Sequence, residues 1–139
     1  MTTSRQARAV ETRIVEMVFP NQTNHYGTLF GGHALRLMDQ AAFISASRYC
    51  RSTVVTACSE KVDFHTPVQQ GQLVELVARV IAVGKTSMKV EVQLFAEQLL
   101  SGKRQLCTRG RFVLVALDGR GRPKGVPRLK KSRVKRQEG

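Results

Sequence analysis

The sequence predicts an α+β domain in which one long helix is wrapped by a curved antiparallel sheet of five to six strands. Three observations carry that prediction. Residues 33–50 are good helix formers with apolar side chains at helical spacing. Residues 88–97 alternate apolar and polar side chains with period two. The strand-like segments after the helix are joined mainly by short turns, which make successive strands antiparallel neighbours. A single apolar helix and a single sheet can bury their faces only against each other, and 139 residues suffice for one domain with a real core.

The elements follow in order. Residues 1–9 read as a flexible start. Residues 10–19 are rich enough in β-branched and apolar side chains for an opening strand, which Pro20 ends. A polar loop leads to the helix, expected from Gly32 or His33 to Cys50. In projection His33, Arg36, Gln40 and Ser47 share a narrow polar arc, so the rest of the helix should be covered by other structure. Arg51 and Ser52 break the chain before a strand over residues 53–64, and His65-Thr66-Pro67 turns it. A strand over residues 73–83 should place Val74, Leu76, Ala78, Val80 and Ala82 on one face. Gly84 and Lys85 begin a hairpin, and Met88, Val90, Val92, Leu94 and Ala96 point to the core in the next strand. Ser101-Gly102-Lys103 makes a second hairpin turn before a last strand over residues 105–117 and a Gly-rich loop. The domain is expected over residues 10–127, with 128–139 as a basic, disordered tail.

Composition narrows the function classes. No apolar run is long enough to span a bilayer and no secretory signal is visible, so a cytoplasmic protein without membrane insertion is expected. Cys50, Cys58 and Cys107 are odd in number and widely spaced, which reads as buried thiols rather than as a disulfide framework, metal knuckle or nucleophile. The net charge of +13 calls for an anionic partner, and from Lys124 onward seven basic residues stand against one acid. Trp is absent and the aromatic residues are not interleaved with the charges, which argues against nucleic acid as that partner.

The chemistry concentrates around the helix start. Asp39 lies off the polar arc among Leu35, Phe43, Ala46 and Cys50, and a carboxylate in such surroundings loses hydration unless it is paired, which can raise its basicity. Pairing with Arg36 is the bland alternative. Gly31 and Gly32 permit close approach and unusual dihedrals beside free helix-start amides, which could hold an oxyanion. Asn24 could serve catalysis or simply close an Asx-type turn.

The run Asn24-His25-Tyr26-Gly27-Thr28-Leu29-Phe30-Gly31-Gly32 followed by Leu37-Met38-Asp39 resembles the signature of hotdog-fold acyl-coenzyme A thioester hydrolases, in the branch with the bacterial broad-specificity and brain-type cytosolic enzymes. Val62-Asp63-Phe64-His65-Thr66-Pro67-Val68 with Gly71, Gly84-Lys85-Thr86-Ser87, and residues 112–117 fit the same pattern, so the likeness covers roughly residues 10 to 127. The resemblance implies a hotdog fold and cleavage of acyl-CoA thioesters to fatty acid and coenzyme A. It places the catalytic acid at Asp39, as general base or nucleophile, with Asn24 orienting water or carbonyl and the amides near Gly31 and Gly32 as oxyanion donors. It also implies a homodimer, assembled as a trimer of dimers (a hexamer), with each active site shared across a dimer interface.

No cofactor or metal is required; coenzyme A is part of substrate and product. Its binding is assigned by resemblance to Lys85, Thr86 and Ser87, whereas Arg109 and Arg111 read better as a wet strand face. His25 reads as a loop or interface residue and His65 as structural. His33, on the polar arc, does not form the acid–histidine pair of a dehydratase. The competing function is a non-catalytic hotdog module that binds acyl-CoA, or an anionic partner such as nucleic acid through the basic tail.

Overall fold

A computed structural model describes residues 6–130. The elements are β1 (Gln6–Ala7), β2 (Thr12–Met17), a 3-10 turn at Pro20–Gln22, α1 (Gly31–Cys50), β3 (Thr53–Phe64), β4 (Leu73–Val83), β5 (Ser87–Glu97), β6 (Arg104–Leu117) and β7 (Arg128–Leu129). Five strands form one antiparallel sheet in the order β2-β4-β5-β6-β3, and α1 packs on its inner face. This is the hotdog arrangement. The helix begins at Gly31 and ends at Cys50, where Arg51 takes a left-handed conformation (φ 51°, ψ 42°) and returns its N–H to Ser47 O at 2.7 Å. That is a helix stop of the αL type without the usual glycine.

Small residues set how close helix and sheet lie. Ala34, Ala41, Ala42 and Ala46 are buried with Leu37 and Met38, opposite Leu76 and Val80 of β4, Met88 to Leu94 of β5 and Leu114 of β6. At Gly110 of β6 a Cβ would lie 3.1 Å from the Met38 methyl and 3.1 Å from Val62, so the glycine lets the helix seat at that point. The buried alternation of β5 is unbroken from Met88 to Ala96. In β4 it is not: a register shift between Val80 and Ala82 turns Ala82 outward, because a bulge adds one residue and reverses the facing beyond it.

The expected terminal tails begin inside ordered structure. Gln6 and Ala7 pair in parallel with Arg128 and Leu129, and Lys130 N–H donates to Ala7 O at 2.8 Å. Ala7 and Leu129 pack against the core, and Tyr49 donates its hydroxyl to Pro127 O at 2.7 Å, which ties the segment to the helix. The tail residues 131–139 lie outside the described residues. Two of the three thiols, Cys50 and Cys107, are buried as expected, but Cys58 is exposed because it lies on β3, an edge strand.

Along with β2, that strand is one of the two open edges of the sheet. Nearly every residue of its 12 is at least partly exposed, Val55 at 45% and Phe64 at 54%. Two register shifts interrupt its pairing with β6, between Thr56 and Cys58 and between Glu60 and Asp63, and Lys61 adopts φ 42°. The helix is likewise not covered all round: Leu35 and Phe43 stay exposed because a single sheet covers one side of a cylinder only. Among the described residues no helix is long and apolar enough to cross a membrane.

Candidate active site

Asn24 shapes the loop before α1. Its Oδ1 accepts from the N–H of Tyr26 (3.0 Å), the N–H of Thr28 (3.1 Å) and the Thr28 hydroxyl (3.0 Å). Gly27, at φ 77°, closes the turn by donating its N–H to Asn24 O at 3.0 Å. Three donors on one oxygen fix the side-chain orientation, since the reversed amide would set its NH₂ against two backbone N–H groups. The Asx-type turn is therefore present, and it occupies only the oxygen. Among the described residues the Nδ2 end has no acceptor.

The loop delivers the chain to the helix start. Phe30 precedes the first turn without a side-chain cap, so the leading N–H groups of α1, those of Gly31 and Gly32 among them, have no acceptor within the helix. The expected unusual dihedrals do not fall on this pair; the positive φ of the loop is at Gly27. A Cβ on Gly32 would meet nothing, and one on Gly31 only the Phe64 ring at 3.9 Å. The chain's own packing thus leaves room at the Cα of both glycines. A cleft of about 250 Å³ opens there, lined by Leu29, Gly31, Phe64, His65, Thr66 and Pro67. A larger cleft, about 430 Å³, lies by Gln98–Ser101 and contains none of the candidate residues.

Asp39 lies eight residues into the helix, roughly 12 Å from Gly31. It is half-buried, and its Oδ1 accepts a 2.7 Å hydrogen bond from the Thr56 hydroxyl on β3. It forms no ion pair with Arg36. Leu35 and Phe43, one turn before and one turn after, flank it on the uncovered helix face, so the carboxylate sits in an apolar stripe that the sheet does not close. Thr56 carries no local signal in the sequence, since its role depends on a contact across 17 positions.

Lys85, Thr86 and Ser87 occupy the β4–β5 hairpin. Gly84 lies close under the hairpin, where a Cβ would come 2.7 Å from Ser87 Oγ and displace that hydroxyl. Thr86 O accepts from Ala116 N and Lys85 O from Val126 N, both at 3.0 Å, so the hairpin is braced by the chain after β6. In register, Thr56 stands beside Leu114 and Leu114 beside Met88, next to this hairpin and roughly 10 Å across two strands. The helix start, by contrast, faces Phe64, which pairs six residues along β6 from the Thr56 partner, roughly 20 Å away. One protomer brings Asp39 to Thr56 but keeps the Asn24 loop and the hairpin toward opposite ends of the sheet. Arg111 pairs with Glu91 at 3.7 Å and Arg109 is exposed beside Asp63 in register, as a wet strand face requires.

The thioesterase superfamily model matches residues 26–103, more than half of the chain. The chain belongs to this family. It is 42% identical over 121 residues to the uncharacterized acyl-CoA thioester hydrolase YkhA of Bacillus subtilis, a match covering 86% of this chain and 70% of that protein. Among solved structures, an apo hexameric acyl-CoA thioesterase is 38% identical with TM-score 0.85, covering 88% of this chain and 78% of the other. An acyl-CoA hydrolase from Staphylococcus aureus, solved with butyryl coenzyme A and coenzyme A, is 36% identical with TM-score 0.83, covering 86% and 73%. Solved variants of that S. aureus enzyme replace an asparagine, an aspartate and a threonine by alanine. Those three positions are separated by 15 and 17 residues, the spacing of Asn24, Asp39 and Thr56.

Proposed function

We infer that the protein hydrolyses acyl-CoA thioesters to free fatty acid and coenzyme A, with Asp39 as the catalytic acid residue at an interface between two copies of the chain. The observation that carries this reading is the Asp39 carboxylate, held by the Thr56 hydroxyl within an apolar stripe left open by its own chain. The spacing match to the positions varied in the S. aureus enzyme supports it.

Each group has a task suited to its chemistry. Asp39 activates a water as general base or attacks the thioester carbonyl as nucleophile. Thr56 donates to one carboxylate oxygen and so fixes the direction in which the other faces. The leading amides at Gly31 and Gly32 suit a developing oxyanion, each donor typically worth about 2.7–4 kcal/mol. Asn24, its oxygen spent on the loop, acts through Nδ2 as a donor to carbonyl or water. The chemistry asks for no metal, and coenzyme A enters and leaves as part of substrate and product.

A second copy completes the site. The open β3 edge carries unpaired backbone groups, a ready template for pairing with another chain. The same copy covers Leu35 and Phe43 and brings its own Asn24 loop toward Asp39. The homodimer assembles further as a trimer of dimers in the cytoplasm. The test is thiol release from a panel of short, medium and long acyl-CoAs by wild type and Asp39→Ala. Hydrolysis by the first and not by a folded second is expected; near wild-type turnover by the variant would reject the assignment.

A further inference from the structure

The exposed apolar side chains of this protein fall into two groups. Leu35, Phe43, Val55 and Phe64 lie on the open helix face and the β3 edge, the surface given above to a second copy. The other group lies across the sheet. β2 is the opposite edge, four strands from β3 or roughly 19 Å. Ile14 stands beside the buried Leu76, so its neighbours in the alternation, Val15 and Met17, point to the outer face and stay exposed. Phe19, also exposed, follows where the strand ends. At the tip of the β5–β6 hairpin Leu99 is half-exposed and Leu100 stands wholly in solvent.

The tip is a shaped protrusion. Gln98 N–H donates to Lys103 O (2.9 Å), Gly102 N–H, at φ 73°, to Gln98 O (2.8 Å), Lys103 N–H to Ser101 Oγ (3.1 Å) and the Ser101 hydroxyl to Gln98 Oε1 (2.9 Å). These local bonds hold two leucines outward at a place where turns usually carry polar side chains. Beside the tip is the hollow of about 430 Å³, walled on its other side by the turn at residues 70–72. That wall is pinned to the end of β2: Gly71 N–H donates to Val18 O and Val18 N–H to Gln72 O, both at 3.0 Å. Protrusion and hollow thus sit side by side, and the tip leucines do not fill the hollow of their own chain.

We propose that this corner is the contact between dimers: the Leu99–Leu100 tip of one copy seats in the hollow of the next, against its Met17 and Phe19. The proposal rests on the trimer-of-dimers reading above and names the surface through which the dimers join. A two-fold contact uses the same patch on both copies and closes on itself, so the β3 edge cannot also build a ring of three. A three-fold ring needs a protrusion and a receptor on every copy, and this corner has both. Charge favours a second copy over a lipid surface. Chains of net charge +13 repel one another, so their contact belongs where the cations are neutralised. Here Arg13 and Arg104 both pair with Glu75, at 2.8 and 2.6 Å, and Arg104 lies over the Phe95 ring at 4.0 Å. The hairpin's other charges, Glu97 and Lys103, are of opposite sign. A patch made for anionic lipid would instead be rimmed with free cations.

The test is the mass in solution, by light scattering after gel filtration, of wild type, the double variant Leu99→Ser with Leu100→Ser, Leu100→Lys, and Arg111→Ala. Wild type should weigh six copies and both tip variants two, because loss of the three-fold contact leaves the β3 dimer. Arg111→Ala, which removes a cation of the outer face far from the corner, should keep six. Both leucines lie outside the core, so their replacement leaves folding intact, which matching circular dichroism spectra verify. Tip variants that keep six copies would overturn the proposal. If those same variants lost sedimentation with vesicles of phosphatidylglycerol and phosphatidylcholine in equal parts, the corner would be a lipid-facing surface instead. A wild type of two copies would reject the trimer-of-dimers reading itself, and this contact with it.

Discussion

The two ends of helix α1 are built from different materials. The starting end is neutral and spare: a loop closed by one asparagine oxygen, a glycine pair whose added Cβ atoms would meet at most the Phe64 ring, and a cleft walled by that ring. The finishing end is crowded with cations and braced by backbone bonds from three segments. Asp39 lies between them on a face that neither end nor the sheet covers. The contrast separates two kinds of chemistry: the neutral end presents uncharged donors of the kind a developing oxyanion needs, and the basic end concentrates charge of the kind an anion meets. Within one copy the leading amides and the Asp39 carboxylate share no contact, which is why the proposed reading calls on a second.

The comparison breaks most directly at the residue in the middle. Asp39→Ala should lower kcat by roughly 10³-fold, within the span of a lost general base, with an unchanged circular dichroism spectrum. Gly110→Ala tests whether the seating of the helix matters. Its Cβ would press on Met38, next to Asp39; we expect about 1–3 kcal/mol of lost stability and, from a displacement near 1 Å, a turnover loss of roughly 10²-fold. A variant with normal turnover would mean that Asp39 tolerates movement.

The observed turn role of Asn24 can be separated from its proposed catalytic one. Asn24→Asp keeps an oxygen for the Tyr26 and Thr28 amides but removes the Nδ2 donor, so the loop should persist while kcat falls by roughly 10²-fold. Full activity in this variant would reduce Asn24 to a turn residue. Thr56→Ala should cost roughly tenfold in kcat, the worth of one hydrogen bond to a charged group.

The smallest effect concerns the brace of the basic end. Tyr49→Phe removes the bond to Pro127 O and should lower stability by about 1 kcal/mol in a denaturant melt. Burial, then the neighbouring Cys50, pushes the Tyr49 hydroxyl above its ordinary 10.0. The fold therefore favours the protonated form: its contribution is whole below that ordinary value and is lost as pH rises through the raised one. Wild type should show this alkaline loss and the phenylalanine variant should not.

Much of the fold was legible because its signals are local and periodic. The bounds of β3 and β4 agree with the expected strands, and the helix differs by a residue or two at its start. The β1–β7 pair is too short to carry a period, and the bulge that turns Ala82 outward follows from pairing with β5 rather than from the sequence of β4. In the site, Asp39 was visible as a polar residue off the polar arc. Thr56 was not, because β strands place many hydroxyls and only the fold says which one meets a carboxylate. The exposure of Leu35 and Phe43 escaped for a related reason: an apolar pattern says that a face wants covering, not whether the same chain covers it.

The claim that the site spans two copies is tested most directly by mixing two broken ones. Asp39→Ala and Asn24→Asp chains, each nearly inactive alone, are co-expressed and the mixed assemblies assayed for acyl-CoA cleavage. If Asn24 of one copy serves Asp39 of the other, random two-fold pairing restores one site in each mixed dimer, about a quarter of wild-type activity. Activity no higher than that of the separate variants would contradict the account and return the whole site to a single chain.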